Sequence, residues 1–302
     1  MTAFATLGNV TIDDLVFPDG STMWRTPGGN AIYSALGIAL WGERPDVVAP
    51  VGPDYPVEAL AGRVDLSRCR PLERTLRNWG LYEEDGTRTF TFRSASRNWH
   101  AFSPTAADID GARYAHAHLA PLPWDLHIAF AEHLRAGGAA VISVDPDDRH
   151  LDAVPPADLK RLLAAIDLFL PSLQDVAALM PGRSPADAIR ALRDIAPDLP
   201  LIAVKCGQEG VLLHAAGAAD LVRVGTAAQT VVDTTGAGDA FSGGALYGFA
   251  RTRDPVEAAL FGSVSASYAV ATHGPDGLLA AVAAEAEARR ARLRSTVETR
   301  PI

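Results

Sequence analysis

The chain has 302 residues, 27 of them basic and 36 acidic, for a net charge of −9. That balance speaks against nucleic acid as a main partner, since neutralising phosphates takes a basic surface, but it leaves room for a small anionic ligand in a local pocket. With 48% hydrophobic and 21% charged residues, composition fits a globular chain with a sizeable core. No apolar run approaches the ~18 residues of a membrane span, and two cysteines without metal-ligand spacing, Cys69 and Cys206, suit a reduced, cytoplasmic setting.

Residues 3–7 read as a first buried strand ending at Gly8, with Asp13 and Asp14 beyond it. Ligands of open α/β sheets sit beyond the carboxyl ends of strands, so Asp13 is a candidate for holding substrate hydroxyls; the plainer alternative is a solvated turn aspartate. Residues 15–24 suit a short hairpin around Pro18, Asp19 and Gly20. Pro27-Gly28-Gly29-Asn30 opens an alanine-rich helix over 31–41, and a paired-glycine entrance lets a ligand approach the backbone. A strand over 47–51 precedes Gly52-Pro53-Asp54, and a short helix covers 57–63. Thr89, Thr91 and Arg93 alternate with Phe90 and Phe92, which predicts a hairpin of 78–82 with 87–93, turned at Asp85-Gly86. Arg88, Arg93 and Arg97 face either a ligand or water.

Strands and helices then alternate. Strands are expected over 115–119, 139–144, 168–170, 201–204 and 210–214, and helices over 124–136, 159–165, 173–180 and 185–195. This is the βαβ rhythm of a parallel, doubly wound sheet. His116 and His118 share one strand face, with no third metal ligand nearby in sequence. An apolar run at 229–232 reads as a buried strand leading into Asp233-Thr234-Thr235, Gly236-Ala237-Gly238 and Asp239. Small residues at helical spacing follow. The N–H groups of such a turn converge, and the helix dipole makes the spot attractive to an anion. Asp239 beside it is suited to take a proton from an attacking hydroxyl. Ordinary turn and cap chemistry accounts for the same residues. Helices over 256–271 and 277–295 close the chain.

The run DTTGAGD, Asp233 to Asp239, followed by AFSGG, is similar to the C-terminal signature of the ribokinase-like (PfkB) carbohydrate kinases. Four other segments resemble that family in the same order and nearly span the chain. They are Gly28-Gly29-Asn30, Gly52-Pro53-Asp54, Asp145-Pro146 with Arg149, and Lys205-Cys206-Gly207 with Gly210. The resemblance implies one kinase domain over 1–302: a doubly wound, mostly parallel sheet flanked by helices. A small β lid would come from about 14–27 and 78–96. It implies transfer of the ATP γ-phosphate to an alcohol, with Mg2+ arriving on the nucleotide. Carried onto this chain, Asp239 is the base and Gly236, Ala237 and Gly238 the anion hole. Asp13, Gly28, Gly29 and Asn30 hold substrate hydroxyls. Lys205, Gly207 and Gly210 border ATP, and Gly274 lies near its adenine end. Asp233 and Thr235 match positions that hold a monovalent cation, such as K+, in some members. Two departures stand out. The family's N-x-x-E appears as Ser172-Leu173-Gln174-Asp175, leaving Asp175 as the acid for Mg2+. Tyr33 replaces an Asn that contacts the sugar in many members.

The leading expectation is therefore a small-molecule kinase acting on a primary alcohol of a sugar or sugar-like compound. A nucleoside kinase is the alternative, with Trp24, Tyr33, Phe92 or Trp99 supplying a slot for the base. A non-catalytic metabolite-binding protein on this fold is a third reading, which the intact Asp239 and glycine turn oppose. A dinucleotide-dependent oxidoreductase is disfavoured because Phe241 stands where the third fingerprint glycine belongs. A P-loop is excluded because neither lysine, Lys160 nor Lys205, follows a G-x-x-x-x-G run. The half-buried lid hairpins are also candidates for pairing with a second copy, as a homodimer.

Overall fold

A computed structural model describes residues 2–93, 99–147, 149, 151 and 154–301. The last part of the expected lid, 94–96, and Arg97 lie outside the described residues. The chain opens with β1 (Thr2–Leu7), then a hairpin of β2 (Thr11–Val16) and β3 (Thr22–Gly28), which runs directly into α1 (Asn30–Ala39). β4 (Asp46–Val48) returns beside β1, and the short β5 (Pro50–Val51) and β6 (Arg70–Pro71) pair with each other. A second hairpin, β7 (Leu76–Tyr82) and β8 (Arg88–Phe92), leads to the single turn of α2 (Ala106–Ile109).

Then comes the alternating region. Its elements are β9 (Tyr114–Leu119), α3 (Trp124–Ala136), β10 (Val141–Val144), α4 (Pro156–Ala165), β11 (Leu168–Phe169), α5 (Leu173–Leu179), α6 (Pro185–Ile195) and β12 (Leu201–Lys205). After the antiparallel β13 (Val211–Ala215) and β14 (Asp220–Val224) come α7 (Ala237–Thr252), α8 (Pro255–Ala269), α9 (Asp276–Ala280), α10 (Ala283–Leu293) and β15 (Glu298–Pro301). No described helix is long and apolar enough to cross a membrane.

Nine strands form the main sheet in the order β15-β14-β13-β12-β11-β10-β9-β1-β4. It is parallel from β4 to β12 and antiparallel from β12 to β15. The parallel strands are mostly apolar because helices cover both faces. On one face Phe4, Val141 and Ala203 meet Leu36 of α1, Leu246 of α7 and Leu260 of α8. On the other, Leu7, Ile142 and Ile202 meet Ile128 of α3, Leu162 of α4 and Ile189 of α6. His118 is fully buried in this sheet, and its Nδ1 lies 2.9 Å from Ser143 Oγ on the neighbouring strand. Burial pushes its imidazole down to about 3, so it is a neutral core residue. Among the described residues no group of three His, Cys, Asp or Glu side chains could hold a metal ion.

The small residues of α7 have a packing role. A Cβ on Gly243 would fall 1.9 Å from Ser34 O, and one on Gly37 2.3 Å from Ala240 O. Only glycines let α1 and α7 meet backbone to backbone here. Ser265 Oγ of α8 joins the contact, donating to Gly37 O at 3.0 Å and accepting from Trp41 Nε1 at 3.0 Å.

Two expectations fail. The run 229–232 is not a strand. β15 pairs with β14 and closes that edge of the main sheet, and Val231 and Val232 are exposed beside clefts. The final helix, expected over 277–295, breaks at Ala281, which takes an extended conformation between α9 and α10.

The remaining four strands make a second sheet, β3-β2-β7-β8, with β2 and β7 parallel. Alternation gives it two faces. Register lines up Asp13, Asn78 and Phe92 across one face. Asp14 points the other way, where Arg77 grips both its oxygens at 2.6 and 2.9 Å and Arg93 approaches to 3.4 Å. Burial opposes the charge of Asp14, but Arg77, the Arg25 N–H and Arg93 together hold its carboxyl below the usual range.

Candidate active site

The head of α7 is the centre of the site. Gly236 precedes the helix at φ 73°, a left-handed conformation, and a Cβ there would meet the Tyr33 ring at 2.2 Å. The chain therefore needs glycine to turn over the buried tyrosine. The Ala237 N–H donates to Thr234 O at 3.3 Å. The N–H groups of Gly238 and Asp239 belong to the first turn, which the helix itself leaves unpaired. Asp239 stands in that turn, partly exposed. Its carboxyl is pushed up to about 7, first by burial and then by nearby Asp145, against the pull of Lys205.

Behind Asp239, the ends of two parallel strands deliver a buried ion pair. Asp145, just past β10, accepts from Lys205 Nζ at the end of β12 and from Ser242 Oγ of α7 at 2.9 Å. Burial pushes Asp145 up to about 6, with Lys205 lowering it and Asp175 raising it. Lys205 Nζ lies 3.3 Å from where a Cβ on Gly238 would be. Asp175, in the first turn of α5, spends Oδ2 on a capping box, taking the Ser172 N–H and hydroxyl at 2.6 Å each. A carboxylate one carbon shorter than glutamate is thus drawn back onto its own helix start.

A cleft of about 500 Å3 opens from this point, lined by Lys205, Gly207, Gly210, Ala237 and Gly238 among others. Three segments distant in sequence, 205–210, 226–241 and 263–270, come together there. Gly274 does not join them: it sits against Thr26 of β3, with a Cβ position 2.6 Å from Thr26 Cγ2.

On the other side lies Asp13, 6% exposed. Its Oδ1 accepts from Asn78 Nδ2 at 2.9 Å, and burial pushes the carboxyl up to about 6 in spite of hydrogen bonds from Thr11 and Asn78. A Cβ on Gly28 would lie 2.1 Å from Asp13 Oδ2, so only glycine leaves room for the carboxyl there. Gly29 caps α1 against the loop after β1. The Asn30 amide is spent on the scaffold, its Oδ1 accepting the Asn9 N–H at 2.7 Å and its Nδ2 donating to Pro121 O at 2.7 Å. Tyr33 lies between the two sides. Burial, then the charges of Asp13, Asp233 and Asp239, raise its hydroxyl well above the ordinary value.

Of the four aromatic residues considered for a base slot, two converge. Phe92 and Trp99 meet edge to face with centroids 4.6 Å apart, and the Arg149 guanidinium stacks 4.3 Å above Trp99. Trp24 is 60% exposed and remote from this pair's face, while Tyr33 supports the glycine turn. Asp54 of the Gly52-Pro53-Asp54 motif has a scaffold role: it accepts the Thr75 N–H at 2.8 Å, fastening the segment that leads into β7.

The segment before the turn is tied to the second hairpin. Tyr82 Oη donates to Asp233 Oδ2 at 2.6 Å and lies 3.4 Å from Thr235 Oγ1. Arg88 donates to Thr234 Oγ1 at 2.5 Å. Sequence reading missed Asn78 and Tyr82 as site residues. Their signal is register across a sheet, which a linear reading does not contain.

Comparison with known proteins gives a consistent result. A family model described as pfkB family carbohydrate kinase matches residues 5–280. A cytidine kinase of Thermococcus kodakarensis is 27% identical over 256 residues, 83% of this chain and 89% of that one. A putative ribokinase II from E. coli, in complex with ATP and Mg2+, has a TM-score of 0.75 at 22% identity, covering 97% of this chain and 100% of that one. The nucleoside kinase of Burkholderia thailandensis, in complex with inosine, has a TM-score of 0.76 at 19% identity, covering 99% and 100%. These solved structures share the doubly wound, mostly parallel architecture.

Proposed function

Since the chain belongs to the pfkB family of carbohydrate kinases, phosphotransferases that act on sugars or nucleosides, we propose that it transfers the γ-phosphate of ATP to the primary hydroxyl of a nucleoside. One observation carries the catalytic part. Asp239, with its carboxyl pushed up to about 7, directly follows Gly238 of the Lys205 cleft, and it shares with Asp13 an influence on the Tyr33 hydroxyl. A base with that proton affinity is matched to work near neutral pH.

In this reading Asp13 Oδ2 receives a sugar hydroxyl while Asn78 occupies Oδ1. Asp239 takes the proton of the attacking hydroxyl as the new O–P bond forms. The bond between the γ-phosphorus and its bridging oxygen breaks, and ADP leaves with that electron pair. Lys205 and the free N–H groups of Gly238 and Asp239 hold the phosphoryl oxygens as charge shifts. Gly207 and Gly210 border the rest of the nucleotide. Asp145 and Asp175, which both raise the proton affinity of Asp239, are hard oxygen donors suited to a divalent cation held through water. Mg2+ on the nucleotide would supply charge neutralisation across its phosphates.

The preference for a nucleoside over a free sugar rests on Phe92 and Trp99. Asp13, Asn78 and Phe92 stand in one row across three strands, about 10 Å at the usual strand spacing. That row suits hydroxyls at one end and a flat ring at the other. The free-sugar reading draws on the same Asp13–Asn78 pair without the aromatic pair. A panel of nucleosides and sugars with ATP, followed by ADP release, separates them. Nucleosides should give turnover with phosphate on the primary hydroxyl, and Phe92→Ala or Trp99→Ala should raise their KM about tenfold through lost stacking. Free ribose turned over as well as any nucleoside would move the conclusion to a sugar kinase.

The four-stranded sheet is proposed as the lid of this single kinase domain. Its outer face exposes Trp79 and Leu81 of β7, with Trp24 exposed on the edge strand β3, and is proposed to pair with a second copy. Gel filtration giving only monomer would remove that pairing.

A further inference from the structure

Asp233 and Thr235 do not fit a monovalent cation in this chain. Both Asp233 oxygens already face donors. Tyr82 Oη donates to Oδ2 at 2.6 Å, and the Thr235 N–H donates to Oδ1 at 2.9 Å. Arg88 Nη1 is 3.9 Å from Oδ1, and His273 Nδ1 is 3.6 Å from Oδ2. Thr235 Oγ1 is within 3.4 Å of the same tyrosine hydroxyl. The carboxylate is 4% exposed. A guanidinium 3.9 Å from it already offsets its charge and would repel a second cation placed there.

Tyr82 and Arg88 are a cross-strand pair at the tip of the second hairpin. The turn of the first hairpin adds Phe17, whose ring lies 5.2 Å from Tyr82 and 4.4 Å from His273. Both hairpins of the four-stranded sheet therefore close on 233–235. Those three residues lead straight into Gly236, which is wedged over Tyr33. The same sheet carries Asp13 and Asn78.

We infer that Tyr82 and Arg88 are positioning residues: from the acceptor-covering sheet they latch the segment leading into the anion turn, and they fill the place of a monovalent cation there. The inference rests on the kinase reading above. Docking of the sheet over the acceptor then fixes 233–235, and with them the N–H groups of Gly238 and Asp239. The phosphate cradle is complete only when the acceptor side is closed, which protects ATP from hydrolysis by water. Arg88 does by a tethered charge what a dissolved ion would otherwise do.

Two measurements on the full chain test this. In the first, turnover is compared in potassium and tetramethylammonium chloride at equal ionic strength. The wild type should be the same in both salts. Tyr82→Phe with Arg88→Gln should lower kcat about tenfold or more, the worth of hydrogen bonds to a charged group, with acceptor KM nearly unchanged. Potassium should restore part of that loss, and Arg88→Lys should stay near wild type. A wild-type rate that rises several-fold with potassium would overturn the inference. The second measurement, hydrogen–deuterium exchange of the 231–239 segment with bound ATP analogue, does not depend on turnover. Exchange there should quicken in the double variant while its Tm and the core strands stay as in wild type. Unchanged exchange in that segment would also overturn the latch. Absence of turnover by the wild type with every acceptor would instead strike at the kinase reading, and the exchange result would still decide the latch.

Discussion

The two sides of the cleft are built from different materials. The side proposed to hold phosphate is mostly backbone and contiguous sequence, Gly236 to Asp239 at the head of α7 with Gly207 and Gly210 from one short turn after β12, and the side proposed to hold the acceptor is not. The acceptor side is made of side chains from three strands, with Asp13 and Asn78 65 residues apart yet hydrogen-bonded. Backbone groups offer the same N–H whatever the side chain, so the phosphate side suits a ligand that does not change. Side chains can be exchanged one at a time, so the acceptor side is where choice of substrate resides.

Substitutions can break or sharpen that contrast. The largest effect belongs to Asp239→Asn, which should lower kcat about a thousandfold, within the range of general-base catalysis, while ATP binding measured by calorimetry persists. Near-normal turnover would sink the role given to Asp239. The pH dependence follows from its carboxyl near 7. The base works ionised, so wild-type kcat should fall as pH drops through about 7. The folded state holds this proton more tightly than the unfolded chain, so ionisation costs stability that is absent below about pH 4 and fully present above about 7. Asp239→Asn should therefore melt higher than wild type at pH 8 and level with it at pH 4.

Gly236→Ala comes next. It forces a left-handed alanine into the Tyr33 ring, and should cost about a hundredfold in kcat by misplacing the turn and about 1–3 kcal/mol in urea unfolding. An unimpaired variant would show that the phosphate side does not depend on backbone shape. Asn78→Ala is the matching test across the cleft. It should raise acceptor KM about tenfold through the loss of one hydrogen bond to a charged group, leaving ATP KM alone. A change in ATP KM instead would blur the division. The smallest effect is Val282→Ser at the exposed entry to α10, within about 0.5 kcal/mol in stability and without effect on kcat.

The contrast also explains what a linear reading can reach. The glycine turn before α7 and the βαβ rhythm are local patterns, and α3 and α6 fall where apolar spacing puts them, with Ser184 capping α6. The glycine entrance at Gly28 and the carboxylate at Asp13 were visible as well. The rest depends on contacts between distant segments. β15 is four exposed residues that become a strand only because β14 offers an edge. Val231 and Val232 carry strand-forming side chains but find no partner strand among the described residues. Asn30 looked like a ligand group until its amide proved to be bonded to two loops. Phe92 and Trp99 meet only after the hairpin has folded.

The glycine seam between α1 and α7 has a consequence for how such a site works. α1 starts at the proposed acceptor entrance, and α7 starts at the proposed base and anion turn. With Ser34 O and Ala240 O in the contact surface, the helices cannot slide along or part from one another without breaking a backbone-to-backbone fit. The entrance and the base thus ride on a single splint whose length is set when the chain folds. Alignment of the two reactants along that axis does not have to be found anew at each encounter. Only the hairpins are left to move, and a new acceptor can be accommodated by recutting them while the splint stays as it is.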